Sequence, residues 1–209
     1  MTEAKKVHDV YERTKGVKGA NLSHLENQVG NALIESANHL DAENKKLASA
    51  IMISKVQEVS YDKDKSVVLI TVSYRTNKIL LGTAYKKFIT ELEKRLKKTV
   101  LIISNRRIQS RWVKENRKLT RPNSRTLTAV YSAILDELLL PAIIIGCRTR
   151  VRLDGSSFSK IVLDKNEQHF LEDRVSAIKA TYRKLTNRDI EIEFQKEATF
   201  YTLKKGEKK

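Results

Sequence analysis

The chain of 209 residues contains little cysteine, proline or glycine. Its single cysteine, Cys147, excludes an internal disulfide and a thiolate zinc site, so a reducing compartment is the default expectation. Cys147 borders an apolar run, which predicts a small buried side chain. With two prolines and seven glycines, the sequence has no long flexible linker, no glycine-rich phosphate loop and no dinucleotide fingerprint.

Membrane-spanning runs and catalytic constellations are also missing. No apolar stretch approaches the roughly 20 residues that cross a bilayer, and the polar N-terminal residues predict no secretory signal. The four histidines form no metal pair at helical spacing. Asp154 and Ser156 are typical of a turn. We therefore predict no enzyme activity, no metal, no cofactor, no membrane and no small-molecule substrate.

Positive charge is what the chain has in excess. Lysine and arginine number 41 against 25 acidic residues, which gives a net charge of +16 and an isoelectric point of about 9.9. Such basicity is typical of nucleic-acid-binding domains. The apolar fraction of 40% is sufficient for a packed core.

The charge is densest in residues 106–125, where eight residues are basic and only Glu115 is acidic. Like charges at this density repel unless a polyanion lies beside them, and arginine suits phosphate geometry. Trp112 offers a ring for base stacking or, alternatively, a plug for an apolar seam. A solvated charged loop is the other interpretation of the whole segment. The predicted RNA-binding residues are Arg106, Arg107, Arg111, Trp112, Lys114, Arg117, Lys118, Arg121 and Arg125.

A second basic group is formed by Arg148, Arg150 and Arg152. Alternate residues of a strand share one face, so these side chains point the same way about 6.6 Å apart. We predict that they also bind RNA. The alternative is that cross-strand ion pairs with Glu191 and Glu193 neutralise them.

Hydrophobic periodicity predicts an α/β (α+β) fold with a mixed β-sheet packed against several helices. Ser124 is predicted to cap the helix that follows the basic loop, Pro141 to end it, and Asp154-Gly155 to form a tight primed turn. A strand–helix–strand stretch over residues 66–104 predicts a parallel crossover. The predicted helices are 22–40, 41–50, 79–98, 124–140 and 167–185. The predicted strands are 51–60, 66–75, 99–104, 188–194 and a hairpin over 148–163.

Three parts of the chain are expected. Residues 1–20 form an N-terminal extension, and residues 196–209 form a basic C-terminal tail. A single α/β domain covers residues 21–195 and includes the basic loop at 105–124.

Several ordered motifs resemble one known family. They are Arg106-Arg107-Ile108, RPNSRTLTAVYSAIL at 121–135, VRLDGS at 151–156, KIVLDK at 160–165 and YRKLT at 182–186. Together they resemble the eukaryotic small-subunit ribosomal protein seven family over roughly residues 30–194. The segment between the first two motifs is slightly shorter than in that family, and Asn123 stands where a basic residue is common.

The resemblance implies a structural constituent of the 40S subunit that binds 18S rRNA and supports small-subunit assembly and pre-rRNA processing. It further implies contact with neighbouring small-subunit proteins and assembly factors, and a cytoplasmic ribosomal location with nucleolar passage during assembly. Two alternatives from other classes stay open. One is a basic regulatory protein acting off the ribosome, and the other is an RNA-processing enzyme.

Overall fold

The computed structural model describes residues 10–11, 22–39, 51–62, 65–80, 85–110 and 121–195. The chain divides into two compact units, Met1–Ile134 and Leu135–Lys209. The range 21–195, predicted as one domain, thus contains two compact units. The predicted helix at 41–50 and the tail at 196–209 lie outside the described residues.

The first unit contains a three-stranded sheet flanked by helices. Its elements, in chain order, are α1 (His24–His39), β1 (Ile53–Ser60), β2 (Ser66–Val72), α2 (Tyr74–Leu80), α3 (Tyr85–Leu96) and β3 (Thr99–Ser104). Strand β2 is central, antiparallel to β1 and parallel to β3. The predicted parallel pairing of the strands on either side of the crossover is confirmed, as is the α/β class.

The core of this unit lies around β2 and β3. Residues 67–70 and 100–103 are all buried, so both faces of these strands are covered, as their unbroken apolar runs require. Helix α3 contributes Phe88, Ile89 and Leu92 along one face. Helix α1 starts with a capping box, in which the Glu26 N–H donates to the Ser23 hydroxyl and the Ser23 N–H to the Glu26 carboxylate.

Tyr11 lies within the predicted N-terminal extension but belongs to this core. Its side chain is fully buried, its hydroxyl donates a 2.6 Å hydrogen bond to the Glu26 carbonyl, and its backbone forms an isolated bridge with Ile53. A buried tyrosine hydroxyl needs such a partner. One aromatic residue in a polar context gave no periodic signal by which this could be predicted.

The boundary between β2 and the next helix was predicted wrongly. The prediction extended the strand to residue 75 and began a helix at 79, whereas β2 ends at Val72 and α2 begins at Tyr74. The Ser73 carbonyl accepts hydrogen bonds from the Asn77 N–H and the Thr76 hydroxyl, which starts the helical turn. The buried Asn77 amide also donates to the Ser104 hydroxyl at 3.0 Å, which attaches α2 to the end of β3.

The helix after the basic segment, α4 (Leu127–Leu138), begins later than predicted. Residues Asn123–Arg125 form a separate 3-10 turn, and Thr126 rather than Ser124 is the capping residue. The Thr126 backbone is extended, and its hydroxyl accepts a 3.4 Å hydrogen bond from the Ala129 N–H. Pro122 favours the extended entry to the 3-10 turn, which displaces the helix start by three residues.

The second unit has its own three-stranded sheet, made of β4 (Ile144–Val151), β5 (Ser157–Leu163) and β6 (Asp189–Phe194). Strand β5 is central, antiparallel to β4 and parallel to β6. The predicted hairpin is confirmed, but its turn is not the predicted two-residue primed type. The Gly155 N–H donates to the Arg152 carbonyl, and Gly155 has φ +81°, which fits a three-residue loop that ends in a left-handed glycine.

The helix predicted over 167–185 is broken in the structure. A 3-10 turn at Lys165–Glu167, α5 (Gln168–Leu171) and a second 3-10 turn at Glu172–Arg174 precede α6 (Val175–Thr186). Leu171, Ile178 and Tyr182 within this range are nevertheless buried. Asn187 ends α6 in the left-handed conformation, donating its N–H to the Arg183 carbonyl.

The strand order determines which basic residues the acidic side chains of β6 can pair with. Because β5 lies between β4 and β6, Glu191 is in register with Lys160 of β5, and Lys160 in turn with Arg148 of β4. Strands β4 and β6 are therefore about 9.6 Å apart, twice the spacing of neighbouring strands. Lys160 forms the ion pair with Glu193. The alternative in which Glu191 and Glu193 neutralise the β4 arginines is wrong for this arrangement.

The cap assignment predicts different costs for two neighbouring substitutions. Thr126→Ala should lower the free energy of unfolding by about 1 kcal/mol, because the Ala129 N–H loses its acceptor. Ser124→Ala should change it by less than about 0.5 kcal/mol, since Ser124 is exposed and caps nothing. Urea unfolding of the full chain measures both, and a larger loss for Ser124→Ala would contradict the assignment.

The strand order predicts which charges are coupled. A double-mutant cycle on Lys160 and Glu193 should give a coupling of about 0.2 to 1 kcal/mol, as expected for a partly exposed pair. The matched cycle on Arg150 and Glu193 should give none within error, because β5 separates the two side chains. A coupling above about 1 kcal/mol in the second cycle would place β6 beside β4 and refute the order β4-β5-β6.

Candidate nucleic-acid interface

The structure places the predicted RNA-binding residues in two groups. Arg106, Arg107, Arg121 and Arg125 lie at the two ends of the basic segment, and Arg148, Arg150 and Arg152 lie on the β4–β5 hairpin. The remaining predicted residues lie outside the described part of the chain. These are Arg111, Trp112, Lys114, Arg117 and Lys118.

Two hydrogen bonds to the backbone of Gln109 hold the two ends of the basic segment, residues 106–125, together. The Gln109 N–H donates to the Arg125 carbonyl at 3.0 Å, and the Arg121 guanidinium donates to the Gln109 carbonyl at 3.1 Å. Upstream, the Asn105 N–H donates to the Val72 carbonyl at 2.7 Å and continues the β2–β3 ladder by one residue. Residues 105–110 therefore leave the sheet in a fixed direction and run beside residues 121–125.

This closure forms a cleft of about 470 Å³ within the first unit. Its lining includes three arginines and, among the described residues, no acid. The lining residues are Tyr74, Asn105, Arg106, Arg107, Ser124 and Arg125. Arg107 and Arg125 are exposed, and Arg106 is partly buried. Three guanidinium groups around one cavity create a positive potential suited to a phosphate chain.

Tyr74 is the cleft residue that the sequence analysis missed. Its side chain is 56% exposed, and the Arg106 guanidinium lies 5.3 Å from the centroid of its ring. The sequence analysis placed Tyr74 inside a strand, where an aromatic residue is ordinary. Its neighbour Arg75 is the only signal in the sequence that it faces solvent.

Some basic residues elsewhere in the first unit have carboxylate partners. Arg95 pairs with Glu35, and Lys98 pairs with Glu58 at 2.5 Å. The hydrogen bond from Lys98 lowers the pKa of Glu58 below its ordinary value. In the described part of the chain, no carboxylate forms an ion pair of this kind with Arg107 or Arg125. Their charges remain available to a ligand.

The arginines of the hairpin form an exposed row on an edge strand. Arg148 and Arg150 alternate along β4, and Arg152 follows in the turn, with its guanidinium 5.1 Å from the centroid of the Phe158 ring. All three are exposed. The Phe158 ring orients the Arg152 guanidinium, and the nearby Asp154 carboxylate interacts with its charge.

The hairpin tests two further predictions, the burial of Cys147 and the turn at Asp154 and Ser156. The prediction that Cys147 is buried is wrong, because β4 is an edge strand and α6 packs against β6 at the opposite edge. The turn interpretation of Asp154 and Ser156 is confirmed by hydrogen bonds from the Ser156 N–H and hydroxyl to the Asp154 carboxylate. These hydrogen bonds lower the pKa of Asp154.

The described residues contain no group of three histidine, cysteine or acidic side chains that could hold a metal ion. Among the same residues, no helix is both long and apolar enough to cross a membrane.

Comparison with known proteins identifies the family. The profile of the family described as ribosomal protein S7e matches residues 13–194. Small ribosomal subunit protein eS7z of Arabidopsis thaliana is 38% identical over 182 residues, covering 85% of this chain and 92% of that protein. Protein eS7 of Anopheles gambiae is 38% identical, with 81% and 88% covered. Protein eS7 of Dictyostelium discoideum is 37% identical, with 84% and 91% covered. The chain therefore belongs to the ribosomal protein S7e family.

Proposed function

We propose that this chain is a structural constituent of the cytosolic small ribosomal subunit that binds 18S rRNA and supports subunit assembly and pre-rRNA processing. The observation that carries the proposal is the cleft lined by Arg106, Arg107 and Arg125, in a chain whose relatives are named as small-subunit ribosomal proteins. Proteins of this family are structural and not enzymes. The chemistry proposed is therefore binding alone.

Phosphate is the ligand that best offsets the electrostatic cost of the cleft. Guanidinium groups held around one cavity by the Gln109 hydrogen bonds repel one another in the free protein. Each phosphate contact removes part of that repulsion and releases condensed counterions from the RNA. The planar fork of arginine also matches phosphate oxygens in a bidentate way that lysine cannot.

The exposed row on β4 supplies a second contact. Arg148, Arg150 and Arg152 repeat at about 6.6 Å, a spacing similar to that of successive phosphates along a strand. Because Glu193 pairs with Lys160, it does not neutralise Arg148 or Arg150. Residues 111–120 of the basic segment, with Arg111, Trp112, Lys114, Arg117 and Lys118, complete the proposed RNA-binding set.

Binding at two places is consistent with a role in assembly. A protein that contacts rRNA through the basic segment and through the hairpin links two RNA elements while the subunit forms. Such a role involves passage through the nucleolus, contact with assembly factors and, in the finished subunit, contact with neighbouring ribosomal proteins.

The salt dependence of RNA binding tests the proposal. Replacing Arg106, Arg107 and Arg125 by alanine should flatten the slope of log affinity against log salt by about 1.4 to 2.7, at roughly 0.7 to 0.9 for each of two or three lost phosphate contacts. A matched triple variant replaces Lys55, Lys65 and Lys94 by alanine, three exposed lysines elsewhere in the unit. That control should leave the slope nearly unchanged.

Filter binding of the full chain to an 18S rRNA fragment across a salt series gives both slopes. Equal slopes for the wild type and the arginine variant would refute phosphate contact at the cleft. A tagged protein that sediments apart from small subunits would instead favour a regulatory protein acting off the ribosome.

A further inference from the structure

The cleft contains an exposed aromatic ring beside its cationic groups, a combination that phosphate binding alone does not require. We propose that it holds one unpaired RNA nucleotide, whose base stacks on the Tyr74–Arg106 pair while Arg107 and Arg125 hold the adjoining phosphates. The proposal rests on the RNA-binding function above and specifies the RNA as single-stranded or bulged at this point.

The stacking surface is preformed. The Arg106 guanidinium lies over the Tyr74 ring, 5.3 Å from its centroid, so two groups that both stack with bases are already next to each other. Tyr74 is 56% exposed, although a ring of this size usually gains from burial. A base laid on the pair would recover that apolar area.

The fold fixes the relative positions of the two residues. Tyr74 is the first residue of α2, and Arg106 follows the end of β3 by two residues. The buried Asn77–Ser104 hydrogen bond joins α2 to β3, and the Asn105 N–H is held by the Val72 carbonyl. The ring and the guanidinium are therefore attached to the same rigid corner of the sheet.

The other lining groups match the rest of a nucleotide. Arg107 and Arg125 are exposed at the same cavity and suit phosphate. The Ser124 hydroxyl and the Asn105 amide are hydrogen-bonding groups for a base edge or a 2′-hydroxyl. The volume of about 470 Å³ lies within the range of about 300 to 1,000 Å³ typical of small-ligand sites.

A base-paired stretch of RNA does not fit this chemistry. Inside a duplex both faces of each base are covered by neighbouring bases, so no internal base can lie on Tyr74. Single-stranded loops and bulges present bases whose faces are free, which is why aromatic side chains select them. We therefore expect the cleft to discriminate between the two forms.

Two RNA probes test the proposal with the full chain. One is a blunt RNA duplex, and the other is the same duplex with a single nucleotide bulged from its centre. Wild-type protein should bind the bulged RNA more tightly. Tyr74→Ala should weaken binding of the bulged RNA roughly 5- to 100-fold and leave duplex binding within about 2-fold, because only the stacked base is lost. Tyr74→Phe should behave as the wild type.

Two controls separate this proposal from the function on which it rests. Arg107→Ala should weaken binding of both RNAs alike, and failure to weaken either would count against phosphate binding itself. A 2-aminopurine placed at the bulge should be quenched by wild-type protein and by Tyr74→Phe, but not by Tyr74→Ala. Unchanged affinity of Tyr74→Ala for the bulged RNA, or an equal loss for both RNAs, would overturn base stacking while leaving phosphate binding intact.

Discussion

The arrangement of the cleft depends on the two hydrogen bonds made by the backbone of Gln109. Its N–H holds the Arg125 carbonyl, and its carbonyl accepts from the Arg121 guanidinium. These bonds bring together the two ends of a segment whose charges repel one another. Arg121 contributes both to the repulsion and to the closure of the segment, because its guanidinium adds positive charge and also donates the hydrogen bond to Gln109.

Apolar burial in the first sheet offsets that repulsion. Strands β2 and β3 are buried on both faces, and β3 leads directly into Asn105, whose N–H is still part of the ladder. The charged segment is thus a continuation of the most completely buried strand of the unit. Arg95 and Lys98 pair with Glu35 and Glu58, whereas no acid lies among the described residues that line the cleft. A polyanion placed there gains the electrostatic energy that the fold leaves available.

Sequence reasoning succeeded where one local pattern decided the outcome. The valine and isoleucine run of β2, the stripe of α3 and the hairpin at Gly155 were predicted because periodicity and turn residues act over a few positions. It failed where two local signals competed and where distant residues decided. Ser73 ends β2 through hydrogen bonds to α2, and Thr126 replaces Ser124 as a cap because Pro122 favours a 3-10 turn. Which edge of β5 receives β6 is a tertiary choice, so neither the Lys160–Glu193 pair nor the exposure of Cys147 could be predicted. Tyr74 was missed as a site residue because the predicted strand ran to residue 75 and therefore included it, whereas β2 ends at Val72.

Arginine-specific modification tests the central claim most directly. Phenylglyoxal labelling followed by mass spectrometry can be compared between the free protein, assembled small subunits and subunits denatured as a control. The account predicts that Arg107 and Arg125 react readily in the free protein, are protected in assembled subunits and become reactive again after denaturation. Equal reactivity of both residues in free protein and in intact subunits would contradict the claim that this cleft binds rRNA.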